Sequence, residues 1–279
     1  MRLILIAPYQ TPAVNWGVFL RDFVTEAKKG QLEGVEVDID EGVLLESTSA
    51  TRGEQDVAKK HSIIGLNEED MANVTAGIIK KAREYSESGK YDALVFTGGL
   101  DPGFAGARLV SKIPVAGALH SSVHVASLIG ERFSIIKPAP SSALITRQCV
   151  ERYGLGHKLA SVRYHDYSPS FAREYISKYK KEERLKIPEA RKVIDDITIP
   201  CLAAIEKDRV DSLIFASEPM QVFADEIRHT LDEAGYDEIP IICSLPAAVA
   251  LAKAMVEIKL AKAPRAYPSH ALKAKPEYW

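Results

Sequence analysis

A glycine-rich turn, Thr97-Gly-Gly-Leu-Asp-Pro-Gly103, follows an apolar run and is the first stretch of this chain that could do chemistry. Glycine lets a backbone approach a ligand closely. The turn therefore either presents successive N–H groups of Thr97, Gly98 and Gly99 to an oxyanion or is a plain tight turn. Asp101 is expected to fasten its own turn rather than to act as a base.

A second turn, Ala216-Ser-Glu-Pro219, also ends an apolar run. A serine hydroxyl is a weak base unless another group activates it, and the adjacent Glu218 is a candidate activator. Ser217 is therefore either a nucleophile or a hydrogen-bond donor. Lys137 is a countercharge for an anion, a base or imine-former if desolvated, or a surface lysine that follows a strand.

Histidine can exchange a proton near neutral pH without any shift of its pKa, which makes His120 a candidate. It is predicted either to be a catalytic or ligand-binding residue or to pack at the start of a helix. His124 lies one helical turn further along. The pair suggests a metal, but no third ligand can be named, so packing is favoured and no metal site is predicted.

Short apolar runs alternate with amphipathic stretches, and this order predicts an α/β protein with largely parallel sheets. Most of the runs are continuously apolar, as in strands that are covered on both faces. Strands are predicted at residues 2–7, 34–38, 92–97, 113–117, 132–136, 159–164, 211–216 and 239–243. Helices are predicted at residues 17–28, 69–87, 104–111, 121–129, 141–152, 169–181, 188–207, 220–234 and 246–261. Ligands are expected at the carboxyl ends of the strands.

The composition excludes several classes of protein. The chain has 279 residues, 46% of them hydrophobic and 27% charged, with a formal net charge of −2. This charge favours neither nucleic acid nor an anionic membrane as a partner. No apolar run reaches the roughly 18–20 residues of a membrane span, and the first apolar run predicts a buried strand rather than a signal peptide. Three cysteines with no pairing or metal spacing fit the cytoplasm.

The two turns belong to a degenerate internal repeat. Each follows a similar phrase, Lys90-Tyr-Asp-Ala-Leu94 in one case and Asp208-Arg-Val-Asp-Ser-Leu213 in the other. Each is followed by a helix and then by a strand that begins with Ile-Pro, at residues 113–117 and 239–243. The repeat predicts two similar α/β halves, although any two α/β units share some of these features.

Six short motifs occur in a fixed order along nearly the whole chain. They are Met1-Arg-Leu-Ile-Leu-Ile-Ala-Pro-Tyr-Gln-Thr11, Asp101-Pro-Gly103, Pro114-Val-Ala-Gly-Ala-Leu-His-Ser-Ser-Val-His-Val-Ala-Ser127, Glu131-Arg-Phe-Ser-Ile-Ile136, Arg152-Tyr-Gly154 and Arg265-Ala-Tyr-Pro268. Taken together, they resemble the aspartate/glutamate/hydantoin racemase superfamily, and its hydantoin racemase branch in particular. One such motif is weak, whereas six in order are a specific resemblance.

The resemblance implies two pseudo-symmetric α/β domains with the active site in the cleft between them. The last helix is expected to cross back to the first domain. We therefore predict a first domain of residues 1–119 with 245–279 and a second domain of residues 120–244. We also expect a homo-oligomer.

The resemblance further implies chemistry without a cofactor. In the family, two cysteines, one from each domain, remove and replace a proton on a carbon next to a carboxyl or carbonyl group. Racemisation needs an acid on one face and a base on the other. These cysteine positions fall on Gly98 and Ser217, so neither thiol is present.

Other family positions also carry different residues here. Lys137 replaces the first of two threonines that help to hold the substrate carboxylate, and His120 replaces a common glutamate. Tyr9 replaces a loop asparagine and is expected to narrow the site or stack on the substrate. Thr11, at the end of the first motif, and Pro138, which follows Lys137, complete the predicted substrate-binding set.

Three functions fit these features. The favoured one is an enzyme that acts next to a carboxyl or carbonyl group of a small anionic or cyclic amide substrate, as a lyase, decarboxylase or one-sided isomerase. A glycine in place of the first cysteine resembles arylmalonate decarboxylases, although those keep the second cysteine. The alternatives are a racemase or epimerase that uses substitute residues such as Ser217, Glu218 and His120, and a non-catalytic small-molecule-binding protein.

Overall fold

The computed structural model describes residues 1–10, 15–46, 68–138, 142–165 and 186–268, together with Tyr175, Lys178, Tyr179 and Glu183. The predicted substrate-binding residue Thr11 lies outside these residues. So does nearly all of the helix that is predicted over residues 169–181.

The first half of the chain forms a four-stranded parallel sheet. Its strands are β1 (Arg2–Ile6), β3 (Glu36–Asp40), β5 (Ala93–Phe96) and β6 (Val115–Gly117), in the order β3-β1-β5-β6. A separate parallel pair is formed by β2 (Tyr9–Gln10) and β4 (Val43–Leu44). The parallel arrangement brings the carboxyl ends of β1 and β5 together, which is where the first turn begins.

The second half repeats this plan. Its strands are β7 (Phe133–Lys137), β8 (Leu159–Tyr164), β9 (Ser212–Phe215) and β10 (Ile241–Cys243), in the order β8-β7-β9-β10. Each strand occupies the place of its counterpart in the first sheet, since β7 corresponds to β1 and β9 to β5. The two turns thus follow equivalent strands, as the internal repeat predicts.

Helices cover both faces of each sheet. They are α1 (Gly17–Ala27), α2 (Glu68–Glu87), α3 (Phe104–Val110), α4 (Ala118–Ile129), α5 (Ala143–Arg152), α6 (Pro188–Asp208), α7 (Glu218–Gln221), α8 (Ala224–Glu233) and α9 (Ser244–Glu257). Alternate residues of β1 enter different cores, with Leu3 and Leu5 on one side and Ile4 and Ile6 on the other. Burial on both faces explains why these strands are continuously apolar.

Helix α9 follows the last strand of the second sheet but packs on the first sheet. Its residues Leu245 and Ala248 lie in one buried cluster with Leu3 and Val95. The crossing of the last helix back to the first half, which the family resemblance implies, is therefore present.

All eight predicted strands are present, and the departures from prediction are local. The short strands β2 and β4 were not predicted, because two residues are too few to give a periodic pattern. The helix predicted over residues 220–234 is divided into α7 and α8, and α4 begins at Ala118 rather than at residue 121. Within the described part of the chain, no helix combines the length and the apolar character that a membrane crossing requires.

Candidate functional site

The two turns meet directly where the halves of the molecule face each other. The Gly98 N–H donates to Glu218 Oε1 at 2.6 Å. Gly99 packs so closely on the second turn that a Cβ at this position would overlap the Ala216 carbonyl oxygen. Only glycine allows this approach, so the second glycine of the first turn is explained by contact between the halves.

Lys137 makes the second polar bridge of this junction. Its Nζ donates to the Gly99 carbonyl oxygen at 2.9 Å and to Thr146 Oγ1 at 3.1 Å. The side chain is buried, and burial lowers the pKa of Lys137 to about 8, although nearby Cys149, Asp101 and Glu218 raise it. Lys137 is therefore not the surface lysine that sequence allowed, and it joins the second sheet to the first turn.

Glu218 is the matching acidic group. It is buried at the first position of α7, and burial raises the pKa of its carboxyl group, while the Gly98 amide lowers it. The Lys137 ammonium also favours the charged carboxylate. Burial thus moves the proton affinity of both groups toward neutral pH, as is common in acid–base sites.

Ser217 lies between the junction and helix α7 with an uncommitted hydroxyl group. The residue is buried, its backbone is extended, and its side chain does not cap α7. Among the described residues, no hydrogen bond to its hydroxyl is found, so the group is free to interact with a ligand.

The amide cradle predicted for the first turn is not open to an anion in this arrangement. The Thr97 N–H is bonded to the Ile6 carbonyl oxygen at 3.0 Å, as part of the sheet. The Gly98 N–H is bonded to Glu218. The prediction of successive free amides was therefore wrong for these two positions, because strand pairing uses one and a protein carboxylate uses the other. The buried Thr97 hydroxyl has no partner in the described part of the chain.

Asp101 does not fasten its own turn with its side chain, which corrects the prediction. Its carboxylate accepts the N–H groups of Leu119 at 3.1 Å and His120 at 2.7 Å, and the Tyr153 hydroxyl at 3.0 Å. It therefore caps the start of helix α4 from a neighbouring loop. Burial raises the pKa of Asp101 to about 6.

His120 lies in an aromatic cluster rather than at the polar junction. Its ring lies 4.7 Å from the ring of Phe104, 4.2 Å from that of His124 and 5.0 Å from that of Tyr153, between centroids. Burial lowers the pKa of His120 to about 3, so the ring is neutral at physiological pH. No hydrogen bond of this ring is found among the described residues, so its contacts are those of the packing alternative.

Two further predicted substrate-binding residues, Tyr9 and Pro138, have different surroundings. Tyr9 is buried in the cluster that contains Ile4 and Ile6, and its ring meets the Trp16 ring edge-on at 6.0 Å between centroids. Pro138 directly follows Lys137 at the end of β7 and is partly buried. The structure thus brings Gly98, Gly99, Lys137, Ser217 and Glu218 together, and gives Tyr9 a core contact.

Sequence analysis missed two neighbours of Lys137 on helix α5. Thr146 accepts a hydrogen bond from Lys137, and Cys149 lies close enough to raise the pKa of that lysine. Cys149 is itself buried, with the Arg152 guanidinium 3.2 Å from its Sγ. The signal that could have identified both is their spacing of three residues, which places them on one face of a helix that follows β7.

The chain is similar to known proteins. A family model described as Asp/Glu/Hydantoin racemase matches residues 54–252. The chain is 26% identical over 182 residues to the hydantoin racemase of Pseudomonas sp. (strain NS671), and the match covers 65% of each protein. It is 28% identical over 187 residues to the hydantoin racemase of Rhizobium meliloti, covering 67% of this chain and 69% of that protein. The match thus spans just under two thirds of the length of the first relative.

A solved structure extends the likeness over the whole chain. The allantoin racemase from Klebsiella pneumoniae superposes with a TM-score of 0.70 at 20% sequence identity, and the superposition covers 99% of this chain and 96% of that protein. At this identity, the likeness is one of fold.

Proposed function

The chain belongs to the Asp/Glu/hydantoin racemase family, and from that premise we propose that it is an enzyme that transfers a proton at a carbon next to a carboxyl or carbonyl group. The substrate is a small anionic molecule or a cyclic amide. The reaction is that of a lyase, most simply a decarboxylase, or of a one-sided isomerase. Glu218 is the acid–base group, Lys137 supplies positive charge, and Ser217 donates a hydrogen bond.

One observation carries this proposal. Glu218 and Lys137 are buried together at the place where the carboxyl ends of the two sheets meet, and Glu218 touches the Gly98 amide at 2.6 Å. Buried groups of opposite charge at the carboxyl ends of parallel strands are typical of catalytic sites rather than of plain turns. Neither turn contains a cysteine, so the proposed acid–base chemistry uses a carboxylate instead of thiols.

The proposed chemistry assigns one step to each group. In a decarboxylation, the bond from the central carbon to the leaving carboxylate breaks, carbon dioxide departs, and the electron pair stays on the carbon and its neighbouring carbonyl group. The Lys137 ammonium stabilises this negative charge. Protonated Glu218 then delivers its proton to the carbon on one face. In an isomerisation, the Glu218 carboxylate first removes the proton.

A racemase or epimerase is the second candidate. The observation that favours it is that Glu218 extends from the second turn to the first, and so reaches the Gly98 side on which no thiol is present. If the Ser217 hydroxyl serves the opposite face, two groups would be present as racemisation requires.

Turnover of a substrate panel tests the proposal. We expect the native protein either to release carbon dioxide from an arylmalonate or to exchange the proton next to the carbonyl group in one enantiomer of a hydantoin, allantoin or aspartate, while chiral chromatography shows no racemisation. Glu218→Gln should lower kcat by about 10²–10⁴-fold, because general acid–base catalysis contributes that much. A variant with Cys149, Cys201 and Cys243 all changed to Ala should stay within about tenfold of native turnover if it folds. A folded cysteine variant without activity, or an unchanged Glu218→Gln variant, would refute the proposal.

A further inference from the structure

Glu218 already occupies the amide at which the first turn could hold an anion. Its Oε1 lies 2.6 Å from the Gly98 nitrogen, and the residue is only 6% exposed. The adjacent Thr97 N–H is used by the sheet. A buried carboxylate on a backbone amide is the same contact that the carboxylate or oxyanion of a substrate would make.

The two turns are also in direct contact at Gly99. A single added carbon at Gly99 would overlap the Ala216 carbonyl oxygen. Lys137, which extends from β7, holds the Gly99 carbonyl oxygen at 2.9 Å. A substrate group can therefore accept the Gly98 N–H only after Glu218 has left it.

We propose that Glu218 is a built-in competitor for the Gly98 amide, which closes the unliganded site and limits the affinity of anionic ligands. A carboxylate ligand must replace this contact and then lie beside the displaced carboxylate of Glu218, whose like charge opposes it. Glu218 is thereby a specificity-determining residue as well as an acid–base group. This inference rests on the function proposed above.

Displacement of Glu218 from the Gly98 amide also makes its carboxylate a stronger base. Once a carbonyl oxygen of the substrate takes the Gly98 N–H, the Glu218 carboxylate loses the hydrogen bond that stabilised its charged form and becomes more basic. It then takes the proton from the neighbouring carbon, and the electrons of the C–H bond form an enolate. The enolate oxygen keeps the hydrogen bond to Gly98, and the proton resides on Glu218.

Binding of malonate and of its uncharged analogue malonamide, measured by calorimetry, tests this inference. Glu218→Ala should bind malonate roughly tenfold or more tightly than the native protein, because the amide is freed and a like charge is removed. Glu218→Gln should show a smaller gain, since its amide oxygen can still accept the Gly98 N–H. The gain in either variant should be larger for malonate than for malonamide. Glu233→Ala, at a side chain that is 63% exposed, removes the same charge from the surface and should leave malonate binding unchanged.

The outcomes separate this inference from the proposed function. Tighter malonate binding by the Glu218 variants combined with lost turnover supports both. Lost turnover with malonate binding that is unchanged, weaker or undetectable in a folded Glu218→Ala variant overturns the competitor role and leaves the acid–base role standing. If Glu218→Gln binds malonate more tightly but keeps native turnover, Glu218 is a competitor for the Gly98 amide and its acid–base role is refuted. Thermal melting of each variant shows whether it is folded.

Discussion

Single residues at the junction show how burial tunes acid–base groups. Lys137 and Glu218 are both buried, and the pKa of the lysine falls to about 8 while that of the glutamate rises. The family resemblance identified Lys137, which replaces a threonine, and Glu218 was identified as the neighbour of Ser217. Sequence could not predict the bond between Lys137 and Gly99, because these residues are 38 positions apart and only the fold brings them together.

The lowered pKa of Lys137 predicts that the free energy of unfolding depends on pH. The folded value of about 8 lies below the unfolded value of 10.5, so between these pH values the unfolded chain binds more protons than the folded one. The free energy of unfolding should therefore gain about 3 kcal/mol from this group as the pH rises from 8 to 10.5. Denaturant titrations of the native protein should show this rise in the free energy of unfolding, and those of Lys137→Met should lack it.

Lys80→Met is the matched control, since the Lys80 side chain is 78% exposed. Its stability should follow the pH dependence of the native protein. A Lys137→Met curve that runs parallel to the native curve over the same interval would show that burial does not lower the pKa of Lys137.

Among the elements, helix α4 shows a boundary that sequence placed incorrectly. The helix begins at Ala118, directly after strand β6, and no residue of its own caps its first turn with a side chain. Asp101 supplies the cap from the loop after β5. Start signals in sequence are read from adjacent residues, so a cap that comes from 18 residues away leaves no local pattern.

Removing this cap should destabilise the protein. Asp101→Ala leaves two backbone N–H groups and the Tyr153 hydroxyl without their acceptor in a buried site. We expect a loss of about 2–4 kcal/mol in the free energy of unfolding, measured by chemical denaturation. Asp211→Ala removes an acceptor of the Glu131 and Arg132 N–H groups at an exposed place, where water can substitute, and should cost less. Equal losses for the two variants would contradict the capping role.

For the molecule as a whole, the duplication of the fold could be predicted because similar strand sequences recur in the two halves of the chain. The turns after β5 and β9 follow equivalent strands in two sheets of the same order. The contact between the halves could not be predicted in the same way, since Glu218 and Gly98 are 120 residues apart. The predicted domain limits, the oligomeric state and the site roles remain predictions.

The backbone conformation at Gly98 explains why a cysteine cannot be introduced there without strain. Gly98 has a φ of +85°, which side-chain-bearing residues rarely adopt, and an added Cβ would lie 3.1 Å from Pro8 Cγ. A cysteine at this position would strain the turn that contacts Glu218. The stereochemistry of proton transfer is therefore better tested in the native protein.

Proton–deuterium exchange, measured separately for each enantiomer of a chiral substrate in deuterium oxide, distinguishes one-sided from two-sided proton transfer. We expect the native protein to exchange the proton next to the carbonyl group of one enantiomer only, without interconversion, and Glu218→Gln to abolish this exchange. Fast exchange of both enantiomers by the native protein would contradict one-sided transfer and support the epimerase candidate. Exchange that persists in folded Glu218→Gln would contradict the role of Glu218 itself.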